Sequence, residues 1–294
     1  MSPFPPASTV RYILGMDSRP ILLSIAGYDP SSGAGVTADV KTAAALGCYA
    51  ITCITALTVQ TTQGVFGMAP VAPEVVRDTL FRLADDVEIA AVRIGMLGSG
   101  GVAEAVAGFL RQTTAKNVVL DPVLRSSSGT SLIDPEGVSV MCSQLLPICD
   151  VLTPNRAEAG ELARIDIGVT SDSDSWENTA PRLRSLAARL HEMGCRAVVI
   201  TGGHLREAND YLSIREGGGM MEQVFSGAHL DSRSTHGTGC AFATALACGL
   251  ARGVPLPEAV GRAKEYVRQA ISAAYRVGKG VGPMHHLFRL VTEK

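Results

Sequence analysis

Short runs of aliphatic and β-branched residues alternate along this chain with alanine-rich stretches of helical spacing, and that alternation limits the possible folds more than any single motif. Ile21–Ala26, Tyr49–Thr55, Ala91–Gly95, Val118–Asp121, Val151–Thr153 and Ala197–Thr201 are almost wholly apolar, as strands covered on both faces must be. Between them, Val36–Leu46, Pro73–Asp85, Gly101–Arg111, Ala157–Ala163 and Pro181–Met193 have helical composition. The pattern predicts an α/β fold with a central, mostly parallel sheet flanked by helices on both faces. Towards the C-terminus, Val260, Ala263, Val267, Ala270, Ile271 and Ala274 recur at helical spacing with Arg262, Glu265 and Arg268 between them, which predicts an amphipathic helix over a core. Asp210–Arg215 and Gln223–Phe225, split by Gly217–Gly219, predict a β-hairpin at a sheet edge. The polar segment 167–175 reads as a loop. No repeat or linker divides the chain, so residues 20–294 are expected to form a single domain after a proline-bearing, poorly ordered extension over residues 1–19.

Composition narrows the function. Hydrophobic residues make up 46% of the chain, enough for a large core, and the net charge of −2 with scattered Lys and Arg gives no nucleic-acid footprint. No apolar run is long enough to span a membrane, and the opening residues lack the apolar core of a signal peptide. The seven cysteines show no CxxC spacing. Cys48, Cys53, Cys142, Cys149, Cys195 and Cys248 sit among apolar residues and read as packed, reduced thiols. These features predict a cytoplasmic protein with no nucleic acid, membrane or zinc.

In open α/β sheets ligands bind beyond the carboxyl ends of the strands. The unusual residues of this chain collect there. Gly27–Gly35 follows the first strand as a glycine-rich turn, and the helix after it carries Asp39. Ser234–Cys240 places Gly237, Thr238 and Gly239 at the opening of a small-residue helix, Ala241–Leu250, where unpaired N–H groups and the positive dipole end favour an anion. Cys240 at that helix start is expected to have its thiolate favoured. Asn155 and Glu158 are one helical turn apart and suit Mg²⁺, which prefers oxygen ligands and retains water; an N-cap with a first-turn acid explains the same spacing. Asp121 ends a buried strand, where an acid needs a partner.

Taken in order, these motifs resemble the ribokinase-like superfamily and, within it, the hydroxymethylpyrimidine/phosphomethylpyrimidine kinases of thiamine biosynthesis. The resemblance runs from about Ile21 to His286. It is carried by Gly27–Lys41, Thr55–Gln60, Ile94–Leu97, Asp121-Pro122-Val123, Thr153-Pro154-Asn155 with Glu158, Gly202-Gly203-His204, Thr235–Cys240 and Gly280–Pro283 before His285-His286. It implies ATP-dependent phosphorylation of 4-amino-5-hydroxymethyl-2-methylpyrimidine, of its monophosphate, or of both, with ATP and Mg²⁺ as cofactors and a homodimer as the assembly.

Residue by residue, the resemblance makes Cys240 the catalytic base and Gly237, Thr238 and Gly239 the anion hole. It assigns Gly27, Asp39, Gln60, Met96 and Val123 to the pyrimidine pocket, Asp121 and Thr201 to the phosphates, and Asn155 and Glu158 to Mg²⁺ through water. Gln60 offers a donor and an acceptor to an aminopyrimidine edge, and Met96 a polarizable contact for a flat ring. Ser127 and Thr201 stand where the family has lysines near the nucleotide phosphates, and Tyr28 replaces a small residue beside Gly27. Two other readings fit the same residues: a pyridoxal-type kinase of the same superfamily, and a non-catalytic pyrimidine-binding sensor.

Overall fold

The computed structural model describes residues 19–126, 128–166, 176–202, 208–227 and 230–290. Residues 1–18 of the expected N-terminal extension, the loop at 167–175, Ser127, Gly203 and His204 lie outside the described residues. In chain order the elements are β1 (Ile21–Tyr28), α1 (Gly35–Ala45), β2 (Tyr49–Thr61), β3 (Gly64–Pro70), α2 (Pro73–Asp86), β4 (Ile89–Ile94), α3 (Gly100–Gln112), β5 (Val118–Leu120), α4 (Pro135–Val140), β6 (Val151–Leu152), α5 (Arg156–Ala163), α6 (Trp176–Glu192), β7 (Ala197–Ile200), β8 (Asp210–Glu216), β9 (Gly219–Phe225), α7 (Thr238–Ala251) and α8 (Leu256–Ser272).

Among the described residues the strands form one sheet in the order β3-β2-β1-β4-β5-β6-β7-β8-β9. The pairs from β2 to β7 are parallel, and the two ends of the sheet are antiparallel hairpins. Because successive side chains on a strand point to opposite faces, the sheet has two cores. Leu23, Ile25, Val92, Ile94, Val118 and Leu120 pack beneath α2, α3, α5 and α6. Leu22, Ala91, Val119, Val151 and Val199 pack beneath α7 and α8. Helix α7 is built from small residues, which lets its backbone lie close to the sheet, and Ala241–Cys248 are all buried.

The parallel centre, the helices on both faces and the C-terminal hairpin follow the expected pattern. Several elements differ, among them helix α4, which was not expected from the sequence. Strand β2 continues past Thr55 to Thr61 and turns into β3, a hairpin not expected from the sequence; Leu57 and Val59 are more than half exposed there, so the run lacks the two-sided burial that marks the other strands. Helix α6 begins at Trp176 rather than at Pro181.

The change in connection direction matters for function. Strand β1 is flanked by β2 on one side and β4 on the other, so the loops leaving their carboxyl ends part and leave a crevice. The β2–β3 turn closes over it. Gly280 N donates to Thr62 Oγ1 at 3.2 Å, and Gly64 lies against the Ser128 side chain.

Candidate active site

Two helix starts meet in this crevice. Gly237 caps α7 at φ +78°, and a Cβ there would fall 1.9 Å from the carbonyl oxygen of Gly33, just before α1. Only glycine fits such a position. A Cβ on Gly239 would instead meet nothing within 4 Å, so the first turn of α7 borders open space. The thiol of Cys240 sits near the Gly35 N–H at the start of α1, which favours its ionised form. The expectation for its charge is overturned. Cys240 is only partly buried as a residue, but desolvation around its sulfur pushes the thiol up to about 12, with Arg93 opposing the effect and Asp121 and Asp39 adding to it. Helix starts favour a thiolate, but here desolvation wins.

Beneath Cys240 lies a buried ionic layer. Arg93 on β4 places Nη1 3.1 Å from Asp39 Oδ2 and Nη2 2.5 Å from Asp121 Oδ2. Asp39 also accepts from Ser24 Oγ at 2.6 Å and from Thr244 Oγ1 at 2.7 Å. Asp39 is fully buried and both its oxygens are engaged by the protein. Burial works against the Arg93 charge, but Asp39, Cys240 and Asp121 more than offset it and raise its pKa.

On one side of this layer is a small apolar wall. Met96 and Ala56 are buried with Leu132, and Val123, Val65 and Met68 pack against them. A Cβ on Gly27 would lie 2.8 Å from Met96 Sδ, so the glycine is what lets that sulfur approach the backbone. The structure thus brings Gly27, Met96 and Val123 together. Gln60 reaches the site from the hairpin. His236 Nε2 lies 2.8 Å from Asp29 Oδ2 and 3.1 Å from the Gln60 side-chain amide. One ring N–H cannot serve both as donor to a carboxylate and as acceptor from an amide. The Gln60 amide is therefore best satisfied with its oxygen towards His236 and its nitrogen donating to Thr58 Oγ1.

On the other side, at the ends of β5, β6 and β7, lie Asp121, Asn155, Glu158 and Thr201. Asn155 caps α5: Glu158 N donates to Asn155 Oδ1 and Asn155 N donates to Glu158 Oε2, both at 2.9 Å. Thr201 pairs with this corner through its N–H to Pro154 O at 2.9 Å. Burial, followed by repulsion from Asp121, pushes Glu158 up to about 8. Burial likewise raises Asp121, against the pull of Arg93. Among the described residues no three His, Cys, Asp or Glu side chains converge as a metal cage. Two partly uncompensated acids beside an amide fit a cation that keeps much of its water.

Asp29, Arg93, Ser24 and Thr244 were not singled out by the sequence reading. Arg93 had the clearest signal, a charge inside the otherwise apolar run Ala91–Gly95.

The sequence profile described as phosphomethylpyrimidine kinase matches residues 29–285, a span that takes in both helix starts and the acid corner. The chain belongs to the phosphomethylpyrimidine kinase family. The hydroxymethylpyrimidine/phosphomethylpyrimidine kinase of Rhizobium meliloti is 40% identical over 273 residues, covering 92% of this chain and 97% of the relative. The thiamine biosynthesis bifunctional protein ThiED of Geobacter sulfurreducens is 41% identical over 269 residues; the match covers 92% of this chain and 52% of that protein, so the chain spans about half of it. Among solved structures, the ADP complex of Bacillus subtilis pyridoxal kinase superposes with a TM-score of 0.80 at 31% identity, covering 93% of this chain and all of that one. The fold of this phosphomethylpyrimidine kinase family member is ribokinase-like, as the motifs implied.

Proposed function

We propose that this chain transfers the γ-phosphate of ATP to the hydroxymethyl group of 4-amino-5-hydroxymethyl-2-methylpyrimidine, to its monophosphate, or to each in turn, as a step of thiamine biosynthesis. The observation that carries the reading is the Cys240 thiol held between the starts of α1 and α7, with an apolar wall on one side and an acid corner on the other. Phosphoryl transfer needs positioning and charge stabilisation more than covalent chemistry. The first-turn N–H groups of α7 and its dipole stabilise the transferring group, and Gly27, Met96 and Val123 seat a flat ring whose edge pairs with Gln60. Cys240 takes the proton of the attacking hydroxyl in its thiolate form, after its own proton has left to solvent. ATP binds along the acid side, near Thr201, and Mg²⁺ held through water by Asn155 and Glu158 beside Asp121 supplies neutralisation of the phosphates.

A coupled ATPase assay with each pyrimidine, on wild type and Cys240→Ala, tests this reading. Turnover dependent on pyrimidine and lost in the variant is expected. Undiminished turnover in Cys240→Ala removes the thiol from its role, and wild type idle with both pyrimidines removes the activity.

A pyridoxal-type kinase is the second reading, favoured by the likeness to the Bacillus subtilis enzyme and by a wall that would accept any flat hydroxymethyl heterocycle. Comparing kcat/KM for pyridoxal and for the pyrimidine decides between them. We also propose a cytoplasmic homodimer. Free thiols suit a reducing compartment, and Leu57, Val59 and Phe66 expose an apolar face on the β2–β3 hairpin that a second copy would cover. Light scattering reads the assembly directly.

A further inference from the structure

We infer that Arg93 is a positioning residue for phosphoryl transfer, its guanidinium fixing Asp121 and the Cys240 thiol relative to each other beneath the start of α7. The inference rests on the reading of Cys240 as the group that meets the acceptor hydroxyl.

Strand parity builds the feature. Leu22, Ala91 and Val119 lie on the face of the sheet covered by α7 and α8. Two residues further along the same three strands, that face carries Ser24, Arg93 and Asp121, all buried. The apolar core therefore gives way to a polar layer towards the carboxyl ends of β4 and β5, beside the middle of β1. Asp39 from α1 and Thr244 from α7 close the layer, and Thr244 lies one helical turn below Cys240, its one hydroxyl proton shared between Asp39 Oδ1 at 2.7 Å and the Cys240 carbonyl at 2.8 Å. The side chain of Cys240 lies close enough to both Arg93 and Asp121 to interact with their charges.

Stability alone does not account for this layer. A buried charge cluster is commonly no more stabilising than well-packed apolar residues of the same volume. This one also carries an unmet cost, since Arg93 Nε has no hydrogen-bond partner. The backbone is adapted to it as well: a Cβ on Gly95 would fall 2.0 Å from Arg93 Nη1, so the glycine lets the guanidinium lie against the main chain. What the arrangement supplies is geometry. Asp39, held by Ser24 and Thr244, anchors one arm of the planar fork, and the other arm then sets Asp121. An ammonium group carries the same charge but cannot bridge two carboxylates in a fixed plane.

The test is steady-state kinetics of Arg93→Lys, Arg93→Met and the charge-balanced Arg93→Met/Asp39→Asn, each with its thermal midpoint. Arg93 does not line the apolar wall, so a fall in kcat of about 20-fold or more with pyrimidine KM within about twofold is expected of the folded variants. Because Arg93 acts through the thiol, adding Arg93→Lys to Cys240→Ala should cost less than about threefold more. Wild-type kcat in any folded variant, a change confined to pyrimidine KM, or fully additive losses in the double variant would each overturn the inference. So would failure of all three variants to fold, which would assign Arg93 to stability alone. A wild type idle with both pyrimidines, or an undiminished Cys240→Ala, counts instead against the functional reading on which this one rests.

Discussion

The Nε2 of His236 and the Oδ2 of Asp29 stand 2.8 Å apart, joining the loop before α7 to the loop after β1. Asp29 does more than pair with the imidazole. Its two oxygens accept the N–H groups of Ser31, Gly33 and Ala34, so one carboxylate organises the whole turn that leads into α1.

That arrangement predicts an acid-sensitive contribution to stability. Burial alone would raise the Asp29 pKa, but hydrogen bonds from His236 and Ser31 overcome it and take it down to about 2. The folded value lies below the ordinary one, so the stabilisation is present above about pH 4 and is lost as pH falls towards 2. Urea unfolding of wild type should lose about 2 kcal/mol from this group across that window, and Asp29→Asn should lose less. Parallel pH profiles for the two proteins would show that the pair contributes nothing.

Gly237→Ala and Gly239→Ala are neighbouring changes with opposite expectations for folding. The first forces a Cβ into the Gly33 carbonyl at a positive φ and should destabilise by about 2–4 kcal/mol. The second meets open space and should leave the thermal midpoint within about 2 °C while lowering kcat/KM for ATP about tenfold or more, because the methyl group occupies the anion-facing turn. Equal thermal shifts would mean that the two helix starts are not in contact through Gly237.

Cys240 should behave as a thiol of low reactivity. With its pKa pushed up to about 12 by burial, its thiolate fraction at neutral pH is far below that of free cysteine. Iodoacetamide labelling of the unliganded protein, followed site by site by mass spectrometry, should proceed at Cys240 at least about a hundredfold more slowly than with free cysteine. If proton transfer to this group limits turnover, kcat should also rise with pH through about pH 9. Rapid labelling at neutral pH would contradict the desolvated site described here.

Glu158 predicts the opposite pH response to Asp29. Burial and then the neighbouring Asp121 raise it to about 8, so the folded protein holds a proton that the unfolded chain releases above its ordinary range near 4.5. Stability contributed by the protonated form is therefore lost as pH rises from about 4.5 to about 8. In EDTA, Glu158→Gln should match wild type near pH 5 and melt a few degrees higher near pH 8.5, since Gln can still close the capping box. A variant that is less stable at both pH values would sink this account.

The parallel centre of the fold was legible because strands buried on both faces must be apolar, and β1, β4, β5, β6 and β7 obey that rule. The β2–β3 hairpin was not, because its outer side chains are solvated and its residues read as motif rather than strand. The site divided in the same way. Glycine spacing located the helix starts, and Gly27, Met96 and Val123 do converge. Spacing could not reveal desolvation, which is a property of the assembled site. The expected thiolate at Cys240 failed for that reason, and the partners that β1, β4 and α7 supply to Asp39 were hidden from spacing in the same way.

The contact between α1 and α7 at Gly33 and Gly237 is made by main chain, whereas the apolar wall beside it is made of Met96, Val123 and hairpin side chains. Mutational drift has little purchase on the first and free rein over the second. A lineage built on this scaffold can therefore exchange one heterocyclic vitamin precursor for another while inheriting its apparatus for handling phosphate unchanged.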